Sequence, residues 1–318
     1  MRALRQKEVE MRRLSVSAVI AIAAALLCAA PAQAQATTTF VSVAGLDTNP
    51  CTNTAPCRSF ARAITVTAAG GAITALDAAG YGTVTITKAI SIVNDGGGEA
   101  GINDASASAD AITISAGVSD VVNLRGLTLN GLGTGRQGIV FNSGAALNIQ
   151  NCQVRNFAGN GITNGTGSSG AFTITDTVVS NNGGDGIFIN AGSATVTAYL
   201  QRVAAVANGV EGILLTRTSG TVHGTIVDSV AGGNGPSASG SGFSLNSGTG
   251  GSIALINSKA IRNAIGVSAG GTTYMSQTTL AGNLTDGFVT IGTGLRTFGD
   301  NYIIDTTNSG SLTPISTQ

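Results

Sequence analysis

Two acidic residues occupy equivalent places in neighbouring segments of this 318-residue chain: Asp185 and Glu211 each stand directly before a Gly-Ile pair. If the segments stack, the two carboxyl groups lie one layer apart, where one can act as an acid and the other as a base. The same pair could bind calcium, but the chain has no dedicated metal motif and we predict no cofactor. Solvated acids at turns are the favoured interpretation, because uncharged residues fill the equivalent places elsewhere. Those residues are Gln137, Asn160 and Ser241.

Four further residues could take part in chemistry or binding. His223 is the only histidine and is of the type that serves as a general base, but a lone histidine without an evident partner is more often a surface residue. Phe188 and Leu214 could contact a sugar or a partner, and Arg217 follows Leu214. Alternatively, Phe188 and Leu214 lie beneath the loop at 234–242, where the repeat described next lengthens. The sequence therefore leaves open whether the protein is an enzyme.

Three sequence landmarks recur with one shared period of 20 to 30 residues. A glycine followed by an apolar residue recurs at Gly138, Gly161, Gly186, Gly212, Gly242, Gly266 and Gly287. An apolar residue recurs at Ile149, Ile174, Leu200, Ile226, Leu255 and Met275. An asparagine recurs at Asn156, Asn182, Asn208, Asn234, Asn263 and Asn283. Repeats of this length indicate a solenoid.

The composition of each repeat is typical of short strands. Val, Ile and Thr are abundant, while Gly, Asn and Ser separate the apolar runs. Helical periodicity is absent after about residue 70, and leucine does not recur at the fixed offsets of a leucine-rich repeat. We therefore predict an all-β parallel β-helix with three strands per coil and about nine coils across residues 72–305.

A row of polar residues follows the second landmark at a distance of two positions. The row comprises Asn151, Asp176, Arg202, Asp228, Asn257 and Gln277. Strict alternation would point these side chains into the core, where charges are costly. A sharp corner with left-handed backbone removes the conflict, and Asn and Asp tolerate that conformation. We favour a structural ladder of alternating charge over a catalytic or calcium-binding row.

Residues 1–36 have the pattern of a signal peptide and leader. Five basic residues precede an apolar run at 14–30, which ends in Ala32-Gln-Ala34, a small-residue cleavage site. The run is short for a membrane span. We therefore expect a mature chain without a span, located in the periplasm or outside the cell. Both Met1 and Met11 fit as the start of translation.

The mature chain is poor in charge. From residue 36 onward it carries 11 basic and 14 acidic residues, a balance that argues against a nucleic-acid partner. The hydrophobic content of 42% is sufficient for a core. Cys51 and Cys57 bracket a short loop and are expected to form a disulfide in an oxidising compartment. Cys152 is expected to be a small buried residue.

The segment before the repeats differs from them. Residues 57–67 place Phe60, Ala63 and Ile64 on one face, which predicts a short amphipathic helix. Such a helix can plug the open end of a solenoid. We predict an N-terminal cap at 37–71 and a parallel β-helix with a C-terminal tail at 72–318, together forming one domain.

Several segments near the N-terminus resemble the entry cap of a known family. They are Phe40-Val-Ser-Val-Ala-Gly-Leu-Asp47, Asn49-Pro-Cys51, Pro56-Cys-Arg-Ser-Phe60, Ala63-Ile64, Gly80-Tyr81 and Val84-Thr-Ile-Thr-Lys88. The family is the exported bacterial β-helix proteins of the pectin-lyase-like superfamily. The resemblance implies a right-handed parallel β-helix over nearly the whole mature chain. Members include pectate lyases, polygalacturonases, alginate-modifying enzymes and adhesins, so the fold alone does not give the function.

The catalytic motifs of these enzymes are absent from the sequence. There is no Arg-x-Pro-x-x-Arg segment of pectate lyases and no Asn-Thr-Asp, Gly-His-Gly or Arg-Ile-Lys motif of polygalacturonases. The resemblance implies a substrate face formed by outward positions after the repeated glycine. These positions are Val140, Thr163, Phe188, Leu214, Ser244, Ser268 and Val289. None is charged, which argues against an enzyme that cleaves a polyuronate, because carboxylates are bound by Arg and Lys.

We therefore predict an exported, non-catalytic β-helix that binds polysaccharide or acts at the cell surface. One alternative is a polysaccharide lyase or glycoside hydrolase centred on Asp185 and Glu211, which requires the candidate groups to converge on one cleft. Another is a self-associating, adhesin-like surface protein. The oligomeric state and the identity of any glycan stay open.

Overall fold

The computed structural model describes residues 35–165, 168–236, 239–291 and 294–315. The predicted signal peptide therefore lies almost entirely outside the described residues. Within them, the chain forms 31 strands and one helix, α1 (Phe60–Val66). In chain order the first strands are β1 (Ala36–Val41), β2 (Thr67–Ala75), β3 (Ala79–Gly80), β4 (Val84–Ile86), β5 (Ile90–Val93), β6 (Ala100–Asn103), β7 (Asp110–Ser115), β8 (Val121–Arg125), β9 (Leu127–Asn130), β10 (Gln137–Ser143), β11 (Ala146–Gln150), β12 (Gln153–Arg155), β13 (Ile162–Asn164), β14 (Gly170–Thr175), β15 (Val178–Ser180) and β16 (Ile187–Asn190). The remaining strands are β17 (Thr195–Gln201), β18 (Ala204–Val206), β19 (Ile213–Thr216), β20 (Thr221–Val227), β21 (Val230–Gly232), β22 (Ser241–Asn246), β23 (Ser252–Ile256), β24 (Lys259–Ile261), β25 (Ile265–Gly270), β26 (Thr273–Ser276), β27 (Thr279–Ala281), β28 (Asp286–Ile291), β29 (Leu295–Thr297), β30 (Tyr302–Ile303) and β31 (Thr313–Pro314).

The strands form three parallel sheets, and each sheet takes every third strand. Sheet A contains β1 followed by β2, β5, β8 and onward to β29 and β31. Sheet B runs from β3 to β30, and sheet C runs from β4 to β28. The described residues thus form nine successive triplets of strands between β2 and β28. The predicted parallel β-helix of about nine coils is confirmed.

The sequence landmarks are the inward columns of this solenoid. The apolar landmark forms one column of sheet A, in which Leu124, Ile149, Ile174, Leu200, Ile226, Leu255 and Met275 pair in register and are buried. A slip of one residue would turn every one of these side chains to solvent, so the apolar pattern fixes the register.

The asparagine landmark forms a buried ladder in the turns between sheets B and C. Asn208 donates from Nδ2 to Oδ1 of Asn234 at 3.0 Å, and Asn182 donates to Asn208 in the same way at 3.0 Å. Asn234, Asn263 and Asn283 continue the series. The assignment of Asn156 to this row was wrong, because Phe157 occupies its place and Asn156 bonds to Asn130 instead. Asn156 follows its apolar landmark by seven residues rather than eight, which explains the difference.

The corner between sheets A and B has the left-handed backbone that the polar row predicts. Asn151, Asp176, Arg202, Asp228, Asn257 and Gln277 all have φ between 45° and 53°. Arg202 forms a two-pronged ion pair with Asp176, and Asn257 donates to Asp228 at 2.7 Å. Among the described residues, Arg202 forms no ion pair with Asp228. Arg202 therefore pairs with the acid of the preceding coil and not with the acid of the following coil. Hydrogen bonding from Arg202 lowers the pKa of Asp176.

The N-terminal end is closed by α1 and the disulfide between Cys51 and Cys57, as predicted. The Ser59 side chain accepts the Arg62 N–H and thereby caps α1, whose buried face contains Phe60, Ala63 and Ile64. At the other end the chain winds on beyond β28, because the Ser309 N–H and C=O pair with the backbone of that strand. Cys152 is buried, and burial raises the pKa of its thiol to about 11. No helix in the described part of the chain is long and apolar enough to cross a membrane.

Candidate ligand-binding cleft and the acidic row of sheet C

One outward column of side chains follows the whole length of sheet C. It contains Thr85, Thr113, Val140, Thr163, Phe188, Leu214, Ser244, Ser268 and Val289, paired in register from strand to strand. The sequence predicted its last seven members and missed Thr85 and Thr113. Val140 and Thr163 are only 7% and 6% exposed, so neighbouring groups cover the column there. Phe188 and Leu214 are half-buried, and the loop proposed above them contains residues 237–238, outside the described residues.

Directly before this column lies a second row that contains the two candidate acids. Asn160 Oδ1 accepts the Asp185 N–H at 2.8 Å, and Asp185 Oδ1 accepts the Glu211 N–H at 3.0 Å. The Glu211 carboxylate in turn accepts the Ser241 N–H. Each side chain therefore satisfies a backbone donor of the next coil, which is a structural task.

The environment of these acids differs from the solvated turn that the sequence favoured. Asp185 is 9% exposed and Glu211 is half-buried. Burial raises the pKa of Asp185. Burial, reinforced by the neighbouring Asp185 charge and opposed by the Ser241 backbone, raises the pKa of Glu211 to about 7. The prediction of solvation was wrong because the turns of adjacent coils pack directly on each other.

The other candidate residues do not join this pair. His223 lies on β20 of sheet A and pairs with Thr197 and Ser252, whereas the acids stand at the entry to sheet C. Arg217 lies in the turn from sheet C to sheet A. It packs so closely on Gly248 that a Cβ atom at position 248 would collide with the Arg217 side chain. The convergence that the enzyme hypothesis required of these residues is therefore not observed.

A cleft of about 650 Å³, here called the N-terminal cleft, lies where the outward column begins. Its lining residues come from helix α1, from β4 and the residues on either side of it, from the first part of β7 and the two residues before it, and from Arg136. Its polar lining residues are Thr65, Thr83, Thr85, Thr87, Lys88, Ser108, Asp110, Thr113 and Arg136. The cleft therefore combines hydroxyl groups with two cations and one carboxylate.

Asp110 is the most buried charge of the N-terminal cleft. Its side chain is 3% exposed and forms an ion pair with Arg136. Its Oδ1 atom is buried without a hydrogen-bond partner, and so is Oδ2 of the nearby Asp104. Burial raises the pKa of Asp110, with a smaller contribution from Asp104 and against the effect of Arg136. An unpaired buried oxygen is costly, so the described part of the chain does not fully satisfy the Asp110 carboxylate.

The two cations of the cleft differ in the contacts that they already make within the protein. Lys88 donates to the Thr67 carbonyl, which leaves two of its three donors for a ligand, and burial lowers its pKa. The Arg136 side chain is 48% exposed beside Asp110. Together they can hold a carboxylate or another anionic group. The described residues contain no cluster of three or more potential His, Cys, Asp or Glu metal ligands.

Sequence reasoning missed this cleft because the repeat was traced only from Gly138 onward. Asp110-Ala-Ile-Thr-Ile114 matches Asp185-Gly-Ile-Phe-Ile189, except that alanine replaces the landmark glycine. Recognition of that match would have added Asp110 to the acidic row. In the sequence, Lys88 stands out only as the end of a segment that resembles the entry cap, and nothing marks it as a binding residue.

The chain shares its fold with solved parallel β-helix proteins. Pectate lyase Pel9A superposes with a TM-score of 0.52 at 14% identity, over 86% of this chain and 81% of the lyase. The A-module of the Azotobacter vinelandii mannuronan C-5 epimerase AlgE4 gives 0.42 at 15% identity, over 78% of this chain and 89% of the module. A rhamnogalacturonan lyase gives 0.43 at 11% identity, over 86% and 84%. No family model and no curated protein matches the sequence. The superposition on the pectate lyase shows the pectin-lyase-like β-helix fold.

Proposed function

We propose that this protein binds an acidic polysaccharide without cleaving it. An acidic sugar lies in the N-terminal cleft, and the following sugars lie over the outward column of sheet C as far as Val140, where neighbouring groups cover the column. The observation that carries the proposal is the position of Lys88 and Arg136 at the start of that column. Two cations in one cleft select an anionic group.

The rest of the column suits the neutral part of a sugar chain. The column crosses nine strands spaced about 4.8 Å apart, roughly 38 Å in all, and its exposed parts lie on either side of the covered positions Val140 and Thr163. Its side chains are hydroxyl-bearing or apolar, which matches the hydroxyl groups and the C–H surfaces of a glycan. The absence of charge beyond the cleft, which argued against a polyuronate enzyme, is consistent with binding that is anchored at one end.

Binding without cleavage is supported by the hydrogen bonds and the ion pair that the three acidic side chains already make. Asp185 and Glu211 each hold a backbone N–H of the next coil, and Asp110 is paired with Arg136. Among the described residues, neither a histidine nor a lysine contacts the carboxyl group of Asp110, Asp185 or Glu211. An extracytoplasmic location is supported by the disulfide between Cys51 and Cys57, since such bonds persist in oxidising compartments.

The test is electrophoresis of the purified protein in native gels that contain polygalacturonate or alginate. We expect the wild type to be retarded, and Lys88→Met to require at least tenfold more polymer for the same retardation. Lys259→Met is the matched control, because Lys259 is an exposed lysine on sheet B, away from the cleft. Equal retardation of both variants, or no retardation of the wild type, would contradict the proposal.

A second candidate function is cleavage of the same polymer in the same cleft. It is favoured by one observation: a buried carboxyl with a raised pKa, Asp110, and a half-buried amine with a lowered pKa, Lys88, line one cavity. Unsaturated-uronate absorbance and reducing ends, measured with and without calcium, decide between the two functions. Product that disappears in Asp110→Asn would establish an enzyme. Product lost only in Asp185→Asn or Glu211→Gln would move the site to the acidic row.

A further inference from the structure

A second outward column, on sheet A, divides into two parts with different hydrogen bonding. In register it contains Ser91, Asn123, Asn148, Thr173, Tyr199, Thr225, Ala254, Tyr274 and Arg296. In the first part Asn148 donates to Asn123 at 2.8 Å, and Asn123 donates to Ser91 at 3.1 Å. These groups satisfy one another and leave little for a ligand.

From Thr173 onward the polar groups of this column have no such partners. A groove of about 300 Å³ begins at this point. Its outward polar lining consists of Thr173, Thr197, Tyr199, His223, Thr225 and Ser252. In the described part of the chain, none of these six side chains makes an intramolecular hydrogen bond. Five hydroxyl groups and one imidazole therefore point outward from neighbouring strands with their donors and acceptors free.

The column carries two tyrosines, of which Tyr199 lines the groove. The Tyr199 side chain is 40% exposed. Tyr274 follows three strands later in the same column, and the Arg296 guanidinium lies 5.8 Å from its ring centroid. This cation–π contact holds the second ring in place. Two of the four tyrosines of the chain thus share one column of sheet A.

We infer that the groove around Tyr199 and His223 is a second saccharide site, specific for a neutral glycan. A sugar ring can stack its C–H face on an exposed tyrosine, because the tyrosine ring is apolar and carries a polar hydroxyl at its tip. The surrounding hydroxyl and imidazole groups both donate and accept, as sugar hydroxyls require. No Asp, Glu, Lys or Arg is among the described residues that line the groove, and Arg296, the one cation of this column, lies four strands beyond Tyr199 against Tyr274. The N-terminal cleft, with Lys88 and Arg136, has the opposite preference. This inference does not depend on the proposed function.

The experiment uses native gels that contain hydroxyethyl cellulose, soluble arabinoxylan or dextran. Because the chain has no tryptophan, tyrosine fluorescence with a cello-oligosaccharide gives a second, direct readout. We expect at least one of these polymers to retard the wild type, and Tyr199→Ala to weaken that binding about tenfold. Thr197→Ala and His223→Ala are expected to weaken it by smaller factors.

Two controls separate this site from other surfaces. Tyr302→Ala removes a tyrosine that is 72% exposed on sheet B, and Lys88→Met removes a cation of the N-terminal cleft; both should bind the neutral polymer like the wild type. Equal weakening by Tyr302→Ala and Tyr199→Ala would overturn the inference, as would a wild type that none of the neutral probes retards. Loss of polygalacturonate binding in Lys88→Met with neutral binding intact would show that the two sites are separate.

Discussion

Asp110 and Asp185 belong to the same row at the entry to sheet C, three coils apart, yet their surroundings differ. Asp185 accepts a backbone N–H of the next coil at 3.0 Å and is part of the scaffold. Among the described residues, no backbone N–H donates to Asp110, which pairs with Arg136 and keeps one buried oxygen without a partner beside the N-terminal cleft. The place of a residue in the repeat therefore does not decide its role. What the next coil presents to the carboxylate decides it.

The largest effect is expected from Asp185→Ala. The substitution leaves the partly buried Glu211 N–H without an acceptor, which should lower the free energy of unfolding by about 1–3 kcal/mol. Urea unfolding followed by circular dichroism measures the loss. Asp185→Asn is the matched control, because Asn160 already accepts the equivalent N–H in the preceding coil. If Asn restores nothing that Ala removes, the hydrogen bond is not what Asp185 contributes.

A smaller effect is expected from pH at Glu211. Its pKa in the folded protein, about 7, lies above the ordinary value of 4.5. Its contribution to stability is therefore complete below about pH 4.5 and is lost as the pH rises through 7. Between pH 5 and 8 the wild type should lose roughly 2 kcal/mol more than Glu211→Gln. Parallel stability–pH curves for the two proteins would show that Glu211 ionises normally.

The smallest effect on stability is expected from Asp110→Ala, the same change in the same row. Its carboxylate satisfies no backbone donor and its burial is unfavourable, so the free energy of unfolding should change by less than about 1 kcal/mol. Arg136, being half exposed, is rehydrated when its partner is removed. Thermal unfolding beside Asp185→Ala tests this directly. A loss as large as that of Asp185→Ala would remove the distinction between scaffold and cleft.

The fold could be predicted from the sequence because stacking enforces each landmark. The apolar column must face the core in every coil, and the corner must turn with positive φ at Asp176 and its equivalents. The repeated glycine has an equally physical cause. A Cβ atom at Gly186 would lie 2.7 Å from Nδ2 of Asn208 in the buried ladder, and one at Gly212 would lie 2.7 Å from Nδ2 of Asn234.

The same cause explains why the cleft was not predicted. Ala111 stands where later coils have the landmark glycine, and it precedes the part of the solenoid in which ladder asparagines crowd that position. Without the ladder the glycine is not required, so the landmark disappears at the coil that carries Asp110. The pairing of Asp185 with backbone donors was also beyond the sequence, because it depends on how closely successive turns approach each other.

The asparagine ladder also makes the coil a unit of length. Asn208 and Asn234 stand 26 residues apart and make the same bonds to the residues before and after them. Excision of one such unit would rejoin equivalent ends and leave the bonding pattern intact. Every surface column would lose one side chain and become about 4.8 Å shorter. Duplication or deletion of coils would therefore change the length of every surface column in fixed steps of one coil.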